Sequence, residues 1–143
     1  MATRNAKATW RGNLQEGTGT MGLGSGVWEG PFSFKTRFEE EPGTNPEELI
    51  GAAEAACFSM QLSAFLAEAG HVPESVETEA KVHLRNVDGV PTIAQIDLTT
   101  RAKVPGLDDA TFQETANAAR EQCIISRALG AVETINLDAT LEG

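Results

Sequence analysis

Two cysteines, Cys57 and Cys123, are the only thiols in this chain of 143 residues, and no other side-chain type in it is as ready to act as a nucleophile. Cys57 lies in a run of small and apolar residues, and Cys123 ends a second amphipathic stretch. One thiol pair suits nucleophilic or redox chemistry. Because neither His71 nor His83 has a zinc-ligand spacing to a cysteine, no metal is expected.

The length of the chain predicts a single domain over residues 1–143, large enough to bury a core without disulfide bonds. The N-terminus lacks the apolar core of a secretory signal, and no segment approaches the roughly 18 apolar residues of a membrane span. We therefore expect a soluble cytoplasmic protein. In that compartment a cysteine pair is more often catalytic or redox-active than structural.

The net charge of −10, with only 11 lysine and arginine residues scattered along the chain, argues against a nucleic-acid or anionic membrane partner. The glycine-rich segment 17–26 lacks the spacing and the following helix of a phosphate-binding loop. It is interpreted as a hairpin turn between two strands. Alternation of apolar and polar residues predicts those strands near residues 6–10 and 32–38.

A long helix is predicted from residue 46 to Ala69. Thr44 and Asn45 are good N-caps, Pro46 suits the first helical position, and Glu47 favours the positive end of the helix dipole. Apolar residues cover most of its circumference, with one stripe through Ile50, Ala53, Cys57, Met60 and Ala64, and another through Phe58, Leu62 and Phe65. A helix that is apolar nearly all round is expected to be buried.

Two alternating segments, 76–84 and 94–104, flank Asp88-Gly89 and predict an antiparallel hairpin with one wet face. A second helix begins at Asp108 or Asp109, with an apolar stripe at Phe112, Ala116, Ala119 and Cys123, and a strand follows at 131–141. The order of elements predicts an α+β fold in which antiparallel sheets surround a buried central helix.

A catalytic Cys57 needs a positive neighbour, because a free thiol is mostly protonated at neutral pH and the middle of a helix offers no dipole. Arg37 is the strongest candidate, because its guanidinium keeps its charge, and Glu47 could hold it in a bidentate fork. The alternatives are a small core cysteine and a solvent-facing arginine. Periodicity alone leaves both open.

Four segments, at residues 34–39, 43–53, 56–59 and 120–123, resemble the OsmC/Ohr family of hydroperoxide reductases. The resemblance runs in order over essentially the whole chain, and its most specific part joins Asn45-Pro46-Glu47 to Ala56-Cys57-Phe58. Ohr proteins carry their arginine in the N-terminal glycine-rich segment. Because residues 17–26 contain no arginine, Arg37 favours the OsmC branch.

The resemblance implies an OsmC-like fold, an intertwined homodimer and reduction of organic hydroperoxides, with hydrogen peroxide as a secondary substrate. It makes Cys57 the peroxidatic cysteine, Cys123 the resolving cysteine, Arg37 the activating residue and Glu47 its carboxylate partner. An external dithiol of the lipoyl-protein or thioredoxin type would reduce the resulting disulfide, with no metal, flavin or nucleotide. Ile124 departs from the family pattern, in which proline commonly follows the resolving cysteine.

Two other functions stay open at this point. The same fold could be a small-molecule-binding module with inert cysteines, or a thiol-disulfide exchange protein that acts on protein partners. Consumption of a hydroperoxide in the presence of a dithiol distinguishes the three.

Helix geometry predicts how Glu47 reaches the site. A continuous helix would separate it from Cys57 by about 15 Å, too far to serve the thiol's arginine within one chain. Antiparallel packing of two copies around the small residues near Ala52, which include Gly51, would bring Glu47 level with the partner's Cys57. We therefore expect an obligate homodimer in which each site uses Glu47 from the opposite subunit.

Overall fold

The computed structural model describes residues 2–143, which divide into two compact units at Leu49/Ile50. The first unit contains an antiparallel sheet of three strands, β1 (Ala6–Arg11), β2 (Thr18–Leu23) and β3 (Glu29–Phe32), and the short helix α1 (Phe34–Phe38). Helix α2 (Pro46–Glu68) starts in this unit and continues into the second. The predicted start of the long helix is confirmed.

The glycine-rich segment is mostly a strand, so its interpretation as a turn is wrong. Gly19 of β2 lies opposite both Trp10 and Phe32, whose ring centroids are 5.4 Å apart. A Cβ atom at Gly19 would lie 2.6 Å from each ring. The glycine is therefore explained by two aromatic rings that meet over the central strand, a contact that no local pattern shows.

The predicted strand at 32–38 is also wrong, because the chain turns into α1 after Phe32. Ser33 and Thr36 form a capping box: the Thr36 N–H donates to Ser33 Oγ (3.2 Å), and the Ser33 N–H donates to Thr36 Oγ1 (2.9 Å). These reciprocal bonds provide acceptors for backbone N–H groups that have no partner within the helix at its N-terminus. Arg37 consequently lies on a helix and not on an alternating strand.

The second unit contains β4 (Ser75–Val87), β5 (Val90–Lys103), α3 (Asp109–Gln122), α4 (Ile124–Ala128) and β6 (Thr134–Glu142). The predicted hairpin is confirmed, with φ of 51° at Asp88 and 83° at Gly89 between the antiparallel β4 and β5. Strand β6 pairs with β5 in parallel, which corrects the expectation of wholly antiparallel sheets. A parallel neighbour requires a crossover, and α3 and α4 supply it.

Helix α2 is buried along one stripe only. That stripe contains Glu54, Phe58, Leu62 and Leu66, which are at most 1% exposed, whereas Met60 is 75% exposed. Ala53, Met60 and Ala64 of the predicted stripe therefore face outward, together with Ala56 and Ala67, whereas Ile50 and Cys57 of the same stripe are half-buried. A helix that is apolar nearly all round does not specify which face is covered, because the strands and helices that pack on it determine that face.

The same helix corrects the expectation that no segment resembles a membrane span. Over Pro46–Glu68 it is long and apolar enough to cross a membrane by length and composition, with a mean hydropathy of 1.4. Its buried stripe packs with residues of β5 and α3, including Ile96, Leu98 and Phe112. That packing accounts for the 28% of the apolar window that is buried.

Asp97 joins the three strands of the second sheet. Its carboxylate accepts hydrogen bonds from Asn136 (2.9 Å), Gln95 (2.8 Å) and His83 (2.7 Å), and these bonds lower the pKa of Asp97 to about 2. The ionised form is favoured in the folded state, so the stability it contributes is present above the ordinary pKa of 3.8. That stability is lost as the pH falls through about 2.

We therefore expect Asp97→Asn to lower the urea midpoint at pH 7 and to bring it close to wild type near pH 2. Asp138→Asn, which changes an exposed carboxylate on β6, is the matched control and should shift neither midpoint. An equal deficit for Asp97→Asn at both pH values would show that its carboxylate charge is not what stabilises the sheet.

Candidate functional site

The second unit brings the two cysteines together. Cys57 is half-buried on α2, whereas Cys123 is 0% exposed and lies between α3 and α4, and both are free thiols. The predicted α3 stripe that ends at Cys123 is confirmed, because Phe112, Ala116 and Ala119 are buried with it. Within residues 2–143 no group of three or more His, Cys, Asp or Glu side chains could hold a metal ion.

The two thiols differ in burial, and burial acts on the ionisation of Cys123. Burial raises the pKa of the Cys123 thiol, and its hydrogen bond with Cys57 raises this pKa further. The Ser126 and Ile125 N–H groups and the Ser126 hydroxyl act in the opposite direction. Cys123 is consequently a neutral, enclosed thiol, and Cys57 is the cysteine that a dissolved oxidant can reach first.

The first unit contains the predicted pair of Arg37 and Glu47. Arg37 donates from Nη2 to Glu47 Oε1 (2.7 Å), and from Nε to Oε1 (3.0 Å) and Oε2 (3.2 Å). The expected fork is therefore present. Both residues belong to one chain, so the pair itself forms without an interface. The expectation that each site uses Glu47 from the opposite subunit stays a prediction. The side chain of Arg37 remains 38% exposed, whereas that of Glu47 is 10% exposed.

Asn45 aligns the two members of this pair. Its Oδ1 accepts a hydrogen bond from the Glu48 N–H (2.8 Å) at the start of α2, and its Nδ2 donates to the Thr36 carbonyl of α1 (2.9 Å). One side chain thus caps the helix that carries Glu47 and binds the helix that carries Arg37. The sequence indicates the cap, and the contact with α1 requires the fold.

Arg37 also lines a cavity of about 200 Å³ in the first unit. The other lining residues are mostly apolar: Trp10, Leu14, Phe32, Ser33, Phe34 and Phe38. The guanidinium lies 5.2 Å from the Phe38 ring centre. A cavity with apolar walls and a single cationic group suits a small apolar molecule that carries a polar or developing anionic end.

Glu54 and Ser126 are part of the cysteine site and were not foreseen from the sequence. Glu54 is 0% exposed, and Ser126 Oγ donates a hydrogen bond to its Oε1. In the described part of the chain, Oε2 of Glu54 has no hydrogen-bond partner. Burial raises the pKa of Glu54, and the bond from Ser126 partly offsets this. The available signal was that Glu54 is the only charged residue between Leu49 and Ala67.

Ile124 occupies the first position of α4, where the family pattern has proline. Cys123 before it has φ −55° and ψ 131°, which the residue before a proline favours. Ile124 is 71% exposed, and over residues 2–143 no backbone partner accepts its N–H. The geometry at the resolving position is therefore already compatible with proline.

We expect Ile124→Pro to stabilise the protein by about 0.4–1 kcal/mol, because proline restricts the unfolded chain at a site where its φ fits. Urea denaturation of the reduced protein measures the change. Ile124→Ala is the control that removes the exposed side chain without restricting the backbone. A lower midpoint for the proline variant would show that the native N–H or backbone angle matters.

Comparison with known proteins shows the family of this chain. The family described as OsmC-like protein matches residues 38–138, and the chain belongs to that family. It is 46% identical to Peroxiredoxin OsmC of Escherichia coli (strain K12) over 134 residues, which cover 93% of this chain and 94% of that protein. It is 32% identical to Organic hydroperoxide resistance protein OhrB of Bacillus subtilis (strain 168) over 143 residues, which cover 99% and 98%.

The architecture is shared with solved structures. The crystal structure of OhrB of Bacillus subtilis superposes with a TM-score of 0.67 and 28% identity, covering 96% of this chain and 98% of that one. This similarity confirms the α+β fold that the sequence predicts.

Proposed function

We propose that this protein is a cysteine-based peroxidase that reduces organic hydroperoxides to alcohols, with hydrogen peroxide as a secondary substrate. The observation that carries the proposal is the contact between a half-buried Cys57 and a buried, neutral Cys123. That contact provides one thiol to react with the oxidant and a second thiol to react with the sulfenic acid that results. The names of the relatives, a peroxiredoxin and organic hydroperoxide resistance proteins, support the same chemistry.

The first step is attack by the Cys57 thiolate on the terminal oxygen of the hydroperoxide. The O–O bond breaks, the alkoxide takes a proton and leaves as an alcohol, and Cys57 becomes a sulfenic acid. We assign Arg37 to stabilise the thiolate and the developing alkoxide, and Glu47 to hold its guanidinium in place. The apolar walls of the cavity beside Arg37 favour alkyl and aryl hydroperoxides.

In the second step the Cys123 sulfur attacks the Cys57 sulfenic acid. The S–O bond breaks, the hydroxide combines with the thiol proton to form water, and a disulfide remains. A dithiol of the lipoyl-protein or thioredoxin type then reduces this disulfide by exchange. We place the reaction in the cytoplasm, where such dithiols are kept reduced, with all 143 residues acting as one functional domain and without nucleic-acid or membrane partners.

Turnover of cumene hydroperoxide with a dithiol reductant tests the proposal. Loss of one peroxide for each dithiol oxidised, over many cycles per chain, supports it. Disulfide exchange without peroxide loss would instead indicate a thiol-disulfide exchange protein, and neither activity would indicate a binding module.

We further propose a homodimer that forms through the exposed face of α2. Small residues on that face, Ala52, Ala53 and Ala56, leave room for a close antiparallel helix–helix contact centred near Ala52, which brings Glu47 level with the partner's Cys57. Gly51 does not belong to this face, because a Cβ there would lie 3.3 Å from Val82 of β4. Glu47 and Cys57 are ten residues apart on α2, about 15 Å along a straight helix. We therefore assign the Arg37–Glu47 pair of one chain to Cys57 of the other.

Mixed dimers of Cys57→Ser and Glu47→Ala chains test this arrangement. If the pair acts across the interface, each mixed dimer has one complete site, and random exchange should restore about one quarter of wild-type activity. Glu47→Ala alone, taken through the same exchange, is the control. Verified mixed dimers without recovered activity, or a monomer in solution, would contradict the arrangement.

A further inference from the structure

Four side chains form two contacts between α2 and the start of α4. On α2, Glu54 and Cys57 are three residues apart; across from them, Cys123 and Ser126 have the same spacing. Residues three apart on a helix share a face. Ser126 binds Glu54, and Cys123 binds Cys57, so one contact lies about a turn from the other.

Packing alone does not explain Glu54. A carboxyl group that is 0% exposed, with one oxygen unpaired among the described residues, destabilises a core. Its neighbours on the buried stripe, Phe58 and Leu62, are apolar, and an apolar side chain would fit the pattern. The peroxidase mechanism gives Glu54 no task.

Helix α4 is too short to be stable without contacts to the rest of the fold. It has five residues, and its N-cap residue Cys123 meets it only through weak thiol contacts with the Ser126 and Ile125 N–H groups and the Ser126 hydroxyl. Ser126 is its only buried residue. The hydrogen bond from Ser126 to Glu54 therefore attaches α4 to α2 at the turn that presents Cys123.

We propose that Glu54, through its hydrogen bond with Ser126, is a positioning residue that holds Cys123 against Cys57 for disulfide formation. This role rests on the proposed peroxidase function and concerns its second step alone. In the described residues neither oxygen of Glu54 is hydrogen-bonded to Cys57. Its loss should therefore slow resolution and leave the first oxidation intact.

The Ellman reagent, 5,5′-dithiobis(2-nitrobenzoate), isolates this step without peroxide. Cys57 thiolate attacks the reagent disulfide, releasing one thionitrobenzoate and leaving a mixed disulfide. Cys123 then attacks the Cys57 sulfur, forms the protein disulfide, and releases a second thionitrobenzoate and a proton. The second phase is intramolecular, so its rate does not depend on reagent concentration.

We expect Glu54→Met and Ser126→Ala each to slow the second phase on the order of tenfold, the effect of losing one hydrogen bond to a carboxyl group, and to leave the first phase at the wild-type rate. The double variant should be no slower than Ser126→Ala, because Ser126→Ala already removes the hydrogen-bond partner of Glu54. Glu54→Gln keeps a carbonyl oxygen for the Ser126 hydroxyl and should recover most of the rate. Ser63→Ala, a hydroxyl change further along α2, is the matched control.

Wild-type second-phase rates in folded Glu54→Met, or equal slowing of both phases, would overturn the proposal. If Glu54→Met does not fold, Ser126→Ala still tests the proposal. Its hydroxyl binds Glu54 and also contacts Cys123, so a wild-type second-phase rate in this variant would overturn the positioning role. A wild-type protein that shows both phases but consumes no hydroperoxide would contradict the peroxidase function and not the positioning role.

Discussion

Cys57→Ser should abolish hydroperoxide consumption, whereas Cys123→Ser should consume about one equivalent per chain and then stop. The reason is the difference between the two thiols, because Cys57 is accessible and Cys123 is enclosed and neutral. Without Cys123 the Cys57 sulfenic acid has no internal thiol to meet. Peroxide loss is followed colorimetrically, and a dimedone adduct at Cys57 is identified by mass spectrometry.

Ala64→Ser, an exposed position on α2, controls for the added hydroxyl and should keep wild-type turnover. Equal multiple turnover by both cysteine variants would contradict the assigned roles. Stoichiometric oxidation that persists in Cys57→Ser and is lost in Cys123→Ser would reverse them.

Arg37→Met should slow the reaction of Cys57 with cumene hydroperoxide by about 10²–10³, the usual effect of removing one preorganised donor to a developing oxyanion. It should also raise the pH at which iodoacetamide alkylates Cys57, because in the proposed site the guanidinium is the group assigned to stabilise the thiolate. Glu47→Gln should have a smaller effect in the same direction. It leaves the charge on Arg37 and weakens the hydrogen bonds that fix the guanidinium in place.

Lys35→Met, which removes the other basic residue of α1, is the matched control and should change neither rate. Far-ultraviolet circular dichroism establishes that the variants fold. An unchanged alkylation profile in folded Arg37→Met would make Arg37 a surface residue and leave Cys57 without an assigned cation.

The sequence by itself determined the elements that depend on short-range interactions. Asn45 and Pro46 start α2, Asp88-Gly89 closes the hairpin, and Asp108 starts α3, because each acts on backbone groups a few residues away. The Arg37–Glu47 fork was also predicted, from the pairing of guanidinium with carboxylate and from the family resemblance.

Only the tertiary structure decided which faces and partners these elements have. The apolar circumference of α2 was compatible with several buried stripes, and the choice of Phe58 and Leu62 over Met60 came from the residues that cover them. Gly19 and Glu54 could not be explained from their own segments either, because the groups that they contact lie on other elements. Periodicity describes one element at a time, and the energies that select a face, a strand neighbour or a buried carboxyl arise between elements.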